Sequence, residues 1–204
     1  MQLKALMVDV DGVLVVQDLP EGWSRHLERD LGLSREILQR EFFDRHWAEV
    51  VTGRAELRPR LRLSLDAIGS RVSAEELVDY WFRNDARVDA VLLDSLVTLK
   101  STGLALHLAT TQEHERARYL WHDLGLGTHF DAIHYAAEIG TAKPDPRFFA
   151  GIEERTGLGA QEVLLIDDSE RNVMAARAQG WRAEHWTAET KLADILAEHR
   201  RAIA

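Results

Sequence analysis

The stretch Leu3 to Leu14, LKALMVDVDGVL, constrains the chain most. Leu3, Ala5, Leu6, Met7, Val8 and Val10 form a short apolar run whose end is marked by Gly12. The run is too short for a buried helix, so it reads as a strand covered on both faces, as in a parallel sheet. Asp9 and Asp11 stand at its carboxyl end, and neither Asp nor Gly is placed there by strand propensity. Ligands of doubly wound sheets bind just beyond the carboxyl ends of the strands. The run therefore proposes a site: two acids on a rigid strand, then Gly12, which lets backbone come close to a ligand.

From Val15 to Arg87 the pattern turns helical. Trp23, Leu27 and Leu31 recur at helical spacing, and Gly32 ends that segment. Ser34 is placed to cap a helix carrying Ile37, Leu38, Phe42 and Phe43. Pro59 reads as the start of another, with Leu61, Leu65 and Ile68 along one side, and Ser73 and Glu76 have capping-box spacing. Strands and helices alternate afterwards. Helices are predicted over Val88–Lys100, Glu113–Leu124, Glu170–Gln179 and Glu189–His199, with one more opening at Asp145-Pro146. Strands are predicted over Leu104–Ala109, Phe130–Ala136, Glu162–Ile166 and Arg182–Trp186. This is the signature of an α/β chain, a Rossmann-like doubly wound parallel sheet. The expected division is a core of residues 1–14 and 88–204 with an all-helical insert of residues 15–87.

The 204 residues carry no cysteine, which excludes disulfides, Cys-ligated zinc and thiol catalysis, and fits a reducing cytoplasm. The formal net charge of −9 argues against nucleic acid or an anionic membrane as partner. Asp9 and Asp11 interrupt the N-terminal apolar run, so it does not read as a signal peptide, and no stretch is apolar enough for a membrane span. The expected protein is cytoplasmic, a monomer or homodimer.

Three predicted strands end in polar residues: Asp9 and Asp11, Thr110 and Thr111, and Asp167 and Asp168. Lys143 opens the helix between the second and third. If the four carboxylates converge they repel, at about 4 kcal/mol per pair for charges 4 Å apart in an effective dielectric of 20. Such a group needs a counter-cation. An oxygen-only donor set suits a hard ion, and Mg²⁺ fits best because it combines carboxylates with water and substrate phosphate. With Lys143 as a second positive charge and Thr110 and Thr111 offering a hydroxyl and an N–H, this outlines metal-assisted phosphoryl transfer. One carboxylate attacks phosphorus and a second serves the leaving oxygen and the incoming water.

DVDGVL, LATT, KPDP and LLIDDSERNV, in this order, resemble the four motifs of the haloacid dehalogenase superfamily. The helical stretch lies where that superfamily inserts a cap. The resemblance implies Asp9 as nucleophile and Asp11 as general acid/base. It implies Mg²⁺ on Asp9, Asp167 and the main-chain carbonyl of Asp11, with Asp168 alongside, and a phosphoryl group on Gly12, Thr110, Thr111 and Lys143. Thr111 stands where relatives often have Asn. IDDSERNVMAARAQGW is most similar to the branch of sugar-phosphate phosphatases and the phosphatase domain of epoxide hydrolases. Dehalogenases of the superfamily lack the second Asp, so Asp11 favours phosphate chemistry.

The expected activity is Mg²⁺-dependent hydrolysis of a small phosphorylated metabolite through an aspartyl phosphate. A sugar phosphomutase is the alternative on the same residues. A catalytically silent binding protein is a third reading. A phospho-accepting receiver domain fits poorly, because its acceptor lies mid-chain and it has no helical insert. Taken singly, the motif residues have plainer explanations: Asp167-Asp168-Ser169 as a helix cap, Lys143 as a solvated lysine. The nine histidines show no metal-binding spacing, and Arg54, Arg58, Arg60 and Arg62 read as a solvated face. The six tryptophans do not cluster into a cage and are expected in core and cap–core packing.

Overall fold

The computed structural model describes residues 2–17 and 22–201. Met1, residues 18–21 and residues 202–204, which the sequence divides between core and insert, lie outside them. The apolar N-terminal run forms β1 (Ala5–Val8), buried along its whole length. It is the centre of a five-stranded parallel sheet with β2 (Ala105–Thr110), β3 (Ala132–Tyr135), β4 (Val163–Asp167) and β5 (Arg182–His185), in the order β3-β2-β1-β4-β5. Ala5 pairs with both Ala105 and Val163, and Val8 with both Leu108 and Ile166, so the amino ends of the three central strands are level, while β2 runs two residues and β4 one residue past the end of β1. The chain moves outward from β1 through β2 and β3, then returns to β4 on the other side. That reversal opens a crevice beyond β1 and β4.

Between β1 and β2 lie α1 (Leu27–Leu31), α2 (Arg35–Leu38), α3 (Asp44–Val51), α4 (Leu57–Ala67) and α5 (Ala74–Asn84), followed by α6 (Ala90–Lys100). After β2 come α7 (His114–Arg118), α8 (Ala136–Ile139), α9 (Pro146–Thr156), α10 (Glu170–Ala178) and α11 (Leu192–Arg201). Side chains alternate along each strand, and each face is covered separately. Leu6, Val8, Leu164 and Ile166 pack under Leu92 and Leu96 of α6 and Ile195 of α11. Met7 and Leu165 pack under Phe148 and Ile152 of α9 and Ala176 of α10.

Several boundaries move from their expected places. The helix predicted from Val88 begins at Ala90, because Asp89 caps it by accepting the N–H groups of Val91 and Leu92. The helix predicted from Pro59 begins at Leu57, and Pro59 occupies its first turn, where a missing N–H costs nothing. Thr110 belongs to β2, one residue beyond the predicted end. The last strand and helix settle at Arg182–His185 and Leu192–Arg201.

Helices α1 to α5 gather round an apolar cluster of their own, with Leu27, Phe42, Leu57, Leu61 and Leu77 fully or almost fully buried. Three tryptophans lie together within this packing. Trp23 stacks on Trp81 at 5.0 Å between ring centres, and Trp47 lies 5.7 Å from Trp81. They come from three separate segments, whose proximity is set by helix packing and not by spacing along the chain. The arginine run is paired as well as exposed: Arg60 meets Glu49 at 2.9 Å, Arg62 meets Glu75 at 3.0 Å, and Arg58 crosses to Glu115 in α7 at 2.6 Å.

The insert leaves and returns at one place. Val16 N–H donates to the Arg87 carbonyl at 2.9 Å, and Asp89 N–H donates to the Leu14 carbonyl at 2.8 Å. Its loop at Gly53 touches the sheet unit so closely that a Cβ there would lie 2.4 Å from the Ala137 carbonyl oxygen. Among the described residues no helix is long and apolar enough to cross a membrane.

Candidate active site

The carboxyl end of β1 delivers Asp9 into the crevice. Its N–H donates to the Ile166 carbonyl at 3.0 Å, which continues the strand ladder for one residue. Asp167 is the last residue of β4 and is fully buried. Lys143 reaches between them: its Nζ lies 2.9 Å from Asp9 Oδ1 and 2.6 Å from Asp167 Oδ2, and donates to the Ala109 carbonyl at 2.8 Å. The other oxygen of Asp167 accepts from Ser169 N–H and Asn172 Nδ2, each at 2.9 Å. A buried lysine without partners would give up its proton. Here burial pulls the Lys143 ammonium down, but Asp9 and Asp167 outweigh it and hold it above the ordinary lysine range.

The lysine does not neutralise the site. Carboxylate oxygens of Asp9, Asp167 and Asp168 all lie within 4.8 Å of one another. Burial pushes the Asp9 carboxyl up, with Asp167 and Asp11 adding to the rise and Lys143 opposing it. Burial and then Asp167 raise Asp168 as well. One lysine among three acids leaves excess negative charge at a place shaped entirely by oxygen donors, which suits a hard cation.

Gly12 is required here twice over. Its φ is +80°, and a Cβ would lie 2.1 Å from Asp168 Oδ2. Thr110 closes β2, buried, next to the carbonyl of Ala109 that holds Lys143. Thr111 follows it, half-buried, at the start of the loop to α7. The structure thus gathers Asp9, Lys143, Asp167, Asp168 and Gly12 at the crevice and sets Thr110 and Thr111 on the adjoining strand end. The Asp11 carboxyl stands apart from the three-acid group. Its Oδ2 accepts from Gln112 Nε2 at 2.6 Å, and its Oδ1 lies 3.9 Å from the Arg116 guanidinium.

Residues 3–180 match the haloacid dehalogenase-like hydrolase family. The chain belongs to this family. Phosphoserine phosphatase of Thermus thermophilus is 28% identical over 225 residues, covering 89% of this chain and 87% of that protein. Bifunctional epoxide hydrolase 2 of Sus scrofa is 25% identical over 88% of this chain, which spans 36% of the longer protein. The fold also matches a HAD family enzyme of Bacteroides thetaiotaomicron, with a TM-score of 0.81 at 19% identity over 96% of this chain and 99% of that one. A structure of that enzyme with magnesium and inorganic phosphate superposes with a TM-score of 0.78 at 20% identity, over 95% and 98% of the two chains.

Within this haloacid dehalogenase-like frame, four polar residues escape a sequence reading. Gln112 and Arg116 are four apart across the start of α7, and both approach Asp11. Glu113 caps α7 by accepting from Arg116 N–H at 2.5 Å and Glu115 N–H at 2.7 Å. Asp85, past the end of α5, is buried against Arg116. The available signal was the four-residue spacing of Gln112 and Arg116 just after a strand that ends in threonines.

Proposed function

We propose that the protein is a Mg²⁺-dependent phosphatase of small phosphomonoesters, working through an aspartyl phosphate on Asp9. The observation that carries this reading is the Lys143 ammonium wedged between Asp9 and Asp167, with Asp168 completing an all-oxygen, net-negative group. The donor set fits Mg²⁺: Asp9 and Asp167 would hold it, with Asp168 alongside and the main-chain carbonyl of Asp11 as a further oxygen. When bound, the ion supplies positive charge to the phosphoryl oxygens. The relatives named as phosphatases of phosphoserine, phosphoglycolate and phosphorylated carbohydrates support a small phosphorylated metabolite as substrate.

The chain's own residues divide the work. Asp9, fixed by β1 and by Lys143, presents an oxygen to phosphorus. Lys143 and Thr110 meet the phosphoryl oxygens, with Thr111 beside them, and Gly12 lets the main chain approach. Asp11, whose side chain is 53% exposed, is free on one side to protonate the leaving oxygen and then to take a proton from the attacking water. The helices over residues 22–84 act as the cap that covers the bound substrate and selects it. The protein acts in the cytoplasm, without nucleic acid or membrane.

The test is phosphate release from a panel of phosphorylated metabolites, with Mg²⁺ and with EDTA, for wild type, Asp9→Asn and Asp11→Ala. Release that needs Mg²⁺ and both acids supports the reading. An isomeric phosphate ester in place of inorganic phosphate would make the protein a mutase, and turnover by Asp9→Asn would remove the covalent intermediate.

A further inference from the structure

Arg116 is the largest side chain buried completely among the described residues, and it does not join the three-acid group. A guanidinium taken wholly out of water must be matched on every side. Its charge meets Asp85 Oδ2 at 3.2 Å. One nitrogen donates to the Phe82 carbonyl at 3.4 Å, another to the Asp85 carbonyl. The Phe82 and Tyr119 rings face its central carbon at 5.3 and 5.5 Å. The nitrogen that meets Asp85 also lies 3.9 Å from Asp11 Oδ1, within ion-pairing range of the second acid.

These partners belong to two different parts of the molecule. Phe82 and Asp85 mark the end of α5 and the linker by which the insert returns to the sheet. Asp85 also accepts from the Gln17 amide on the outgoing linker. Asp11 is the acid of the site. Gln112, one turn before Arg116, donates to the other oxygen of Asp11 at 2.6 Å, so one short stretch sets an amide and a guanidinium beside the two carboxyl oxygens and leaves the outer side of Asp11 open. Glu113 fixes that stretch by capping it.

We propose that Arg116 is a positioning residue for the phosphoryl transfer: it fixes the Asp11 carboxyl for proton delivery, and the docked return linker holds Arg116 in place. The proposal rests on the role given to Asp11 above. In that step a bond forms between an Asp9 oxygen and phosphorus while the ester P–O bond breaks. The bonding pair passes to the leaving oxygen, which takes the proton of Asp11. An alkoxide leaving group needs that proton, whereas p-nitrophenolate leaves without it. Loss of a positioned acid is therefore selective for the substrate with the poor leaving group.

The experiment compares kcat/KM for glycerol 3-phosphate and p-nitrophenyl phosphate in the full chain with Mg²⁺. The variants are Arg116→Gln, Arg116→Lys, Asp85→Asn and Asp11→Asn, each checked for folding by circular dichroism. A positioned acid supplies about 10²–10⁴-fold. Arg116→Gln is expected to lose at least tenfold more on glycerol 3-phosphate than on p-nitrophenyl phosphate. Arg116→Lys keeps part of the difference, and Asp85→Asn shares the bias in weaker form. If Arg116→Gln does not fold, Arg116→Lys carries the comparison. Equal losses on both substrates in the Arg116 variants, with a clear bias in Asp11→Asn, overturn the positioning role alone. Absence of bias in Asp11→Asn removes the acid itself and takes both readings down.

Discussion

Lys143 bridges two buried acids, and the proposed chemistry would draw on the same contacts. Its ammonium is the only described cation within ion-pairing distance of both Asp9 and Asp167. Replacing it with methionine keeps the volume and removes the charge, leaving two buried carboxyls facing each other. Breaking a buried pair in this way costs about 3–5 kcal/mol. Lys143→Met is expected to lower Tm measurably in a thermal melt without metal and to abolish turnover. A melt unchanged from wild type would mean that the acids are already neutral. The acids themselves were readable because Asp residues at the ends of apolar runs oppose strand propensity. Lys143 was readable only as one member of the set. Arg116, Glu113 and Asp85 were not, since a charged residue in EHERAR or RNDAR looks solvated until another segment is folded over it.

At the scale of the element, α7 is five residues long, and its start is set by a buried acid. Burial pushes the Glu113 carboxyl up to about 7, although two backbone N–H groups favour its charged form. A folded-state value above the unfolded one means that the folded chain binds more protons. The stabilisation is complete below the unfolded value of 4.5 and is lost as pH rises through about 7, by on the order of 3 kcal/mol in all. The His107–His134 pair on β2 and β3, 2.9 Å between ring nitrogens, works in the opposite sense. Burial and then His107 pull His134 down to about 4, so its stabilisation is complete above 6.5 and fades as pH falls toward 4. The two slopes oppose each other in the wild type. Glu113→Gln, followed by thermal melts from pH 4.5 to 8, is expected to gain on wild type as pH rises and to expose the histidine slope at the acid end. Parallel curves for the two proteins would show that Glu113 titrates normally. The alternation of strands and helices was evident from the sequence, because each element carries its own period and its own caps. The joints between elements were not: Asp89 shifts a boundary through its capping hydrogen bonds and Thr110 through its pairing with Tyr135, and periodicity records neither.

For the molecule as a whole, the proposed Mg²⁺ site at the acidic crevice is expected to make stability depend on that cation. At a Mg²⁺ concentration about 100-fold above its dissociation constant, binding to the folded state adds about 2.7 kcal/mol. For a chain of this length that raises Tm by about 5–10 °C. Thermal melts with millimolar Mg²⁺ and with EDTA are expected to differ by that amount in wild type and by much less in Asp168→Asn. Coincident wild-type curves would exclude a preformed metal site. The aromatic cluster forms where separate helices of the insert pack on one another, and the contacts with Glu115 and Ala137 form only when the insert meets the sheet, so spacing along the chain records neither.

The paired linkers also bear on how such a chain finds its structure. β1 and β2 are neighbours in the sheet, yet Ala5 and its partner Ala105 are separated by the whole insert. Closing so long a loop is entropically unfavourable and slows the pairing of the strands. The insert carries its own apolar cluster, and its ends meet at the Val16–Arg87 and Leu14–Asp89 hydrogen bonds. Once those helices have gathered, the excursion shrinks to a short hairpin, and the remaining search is that of a much smaller protein made of adjacent strands and helices.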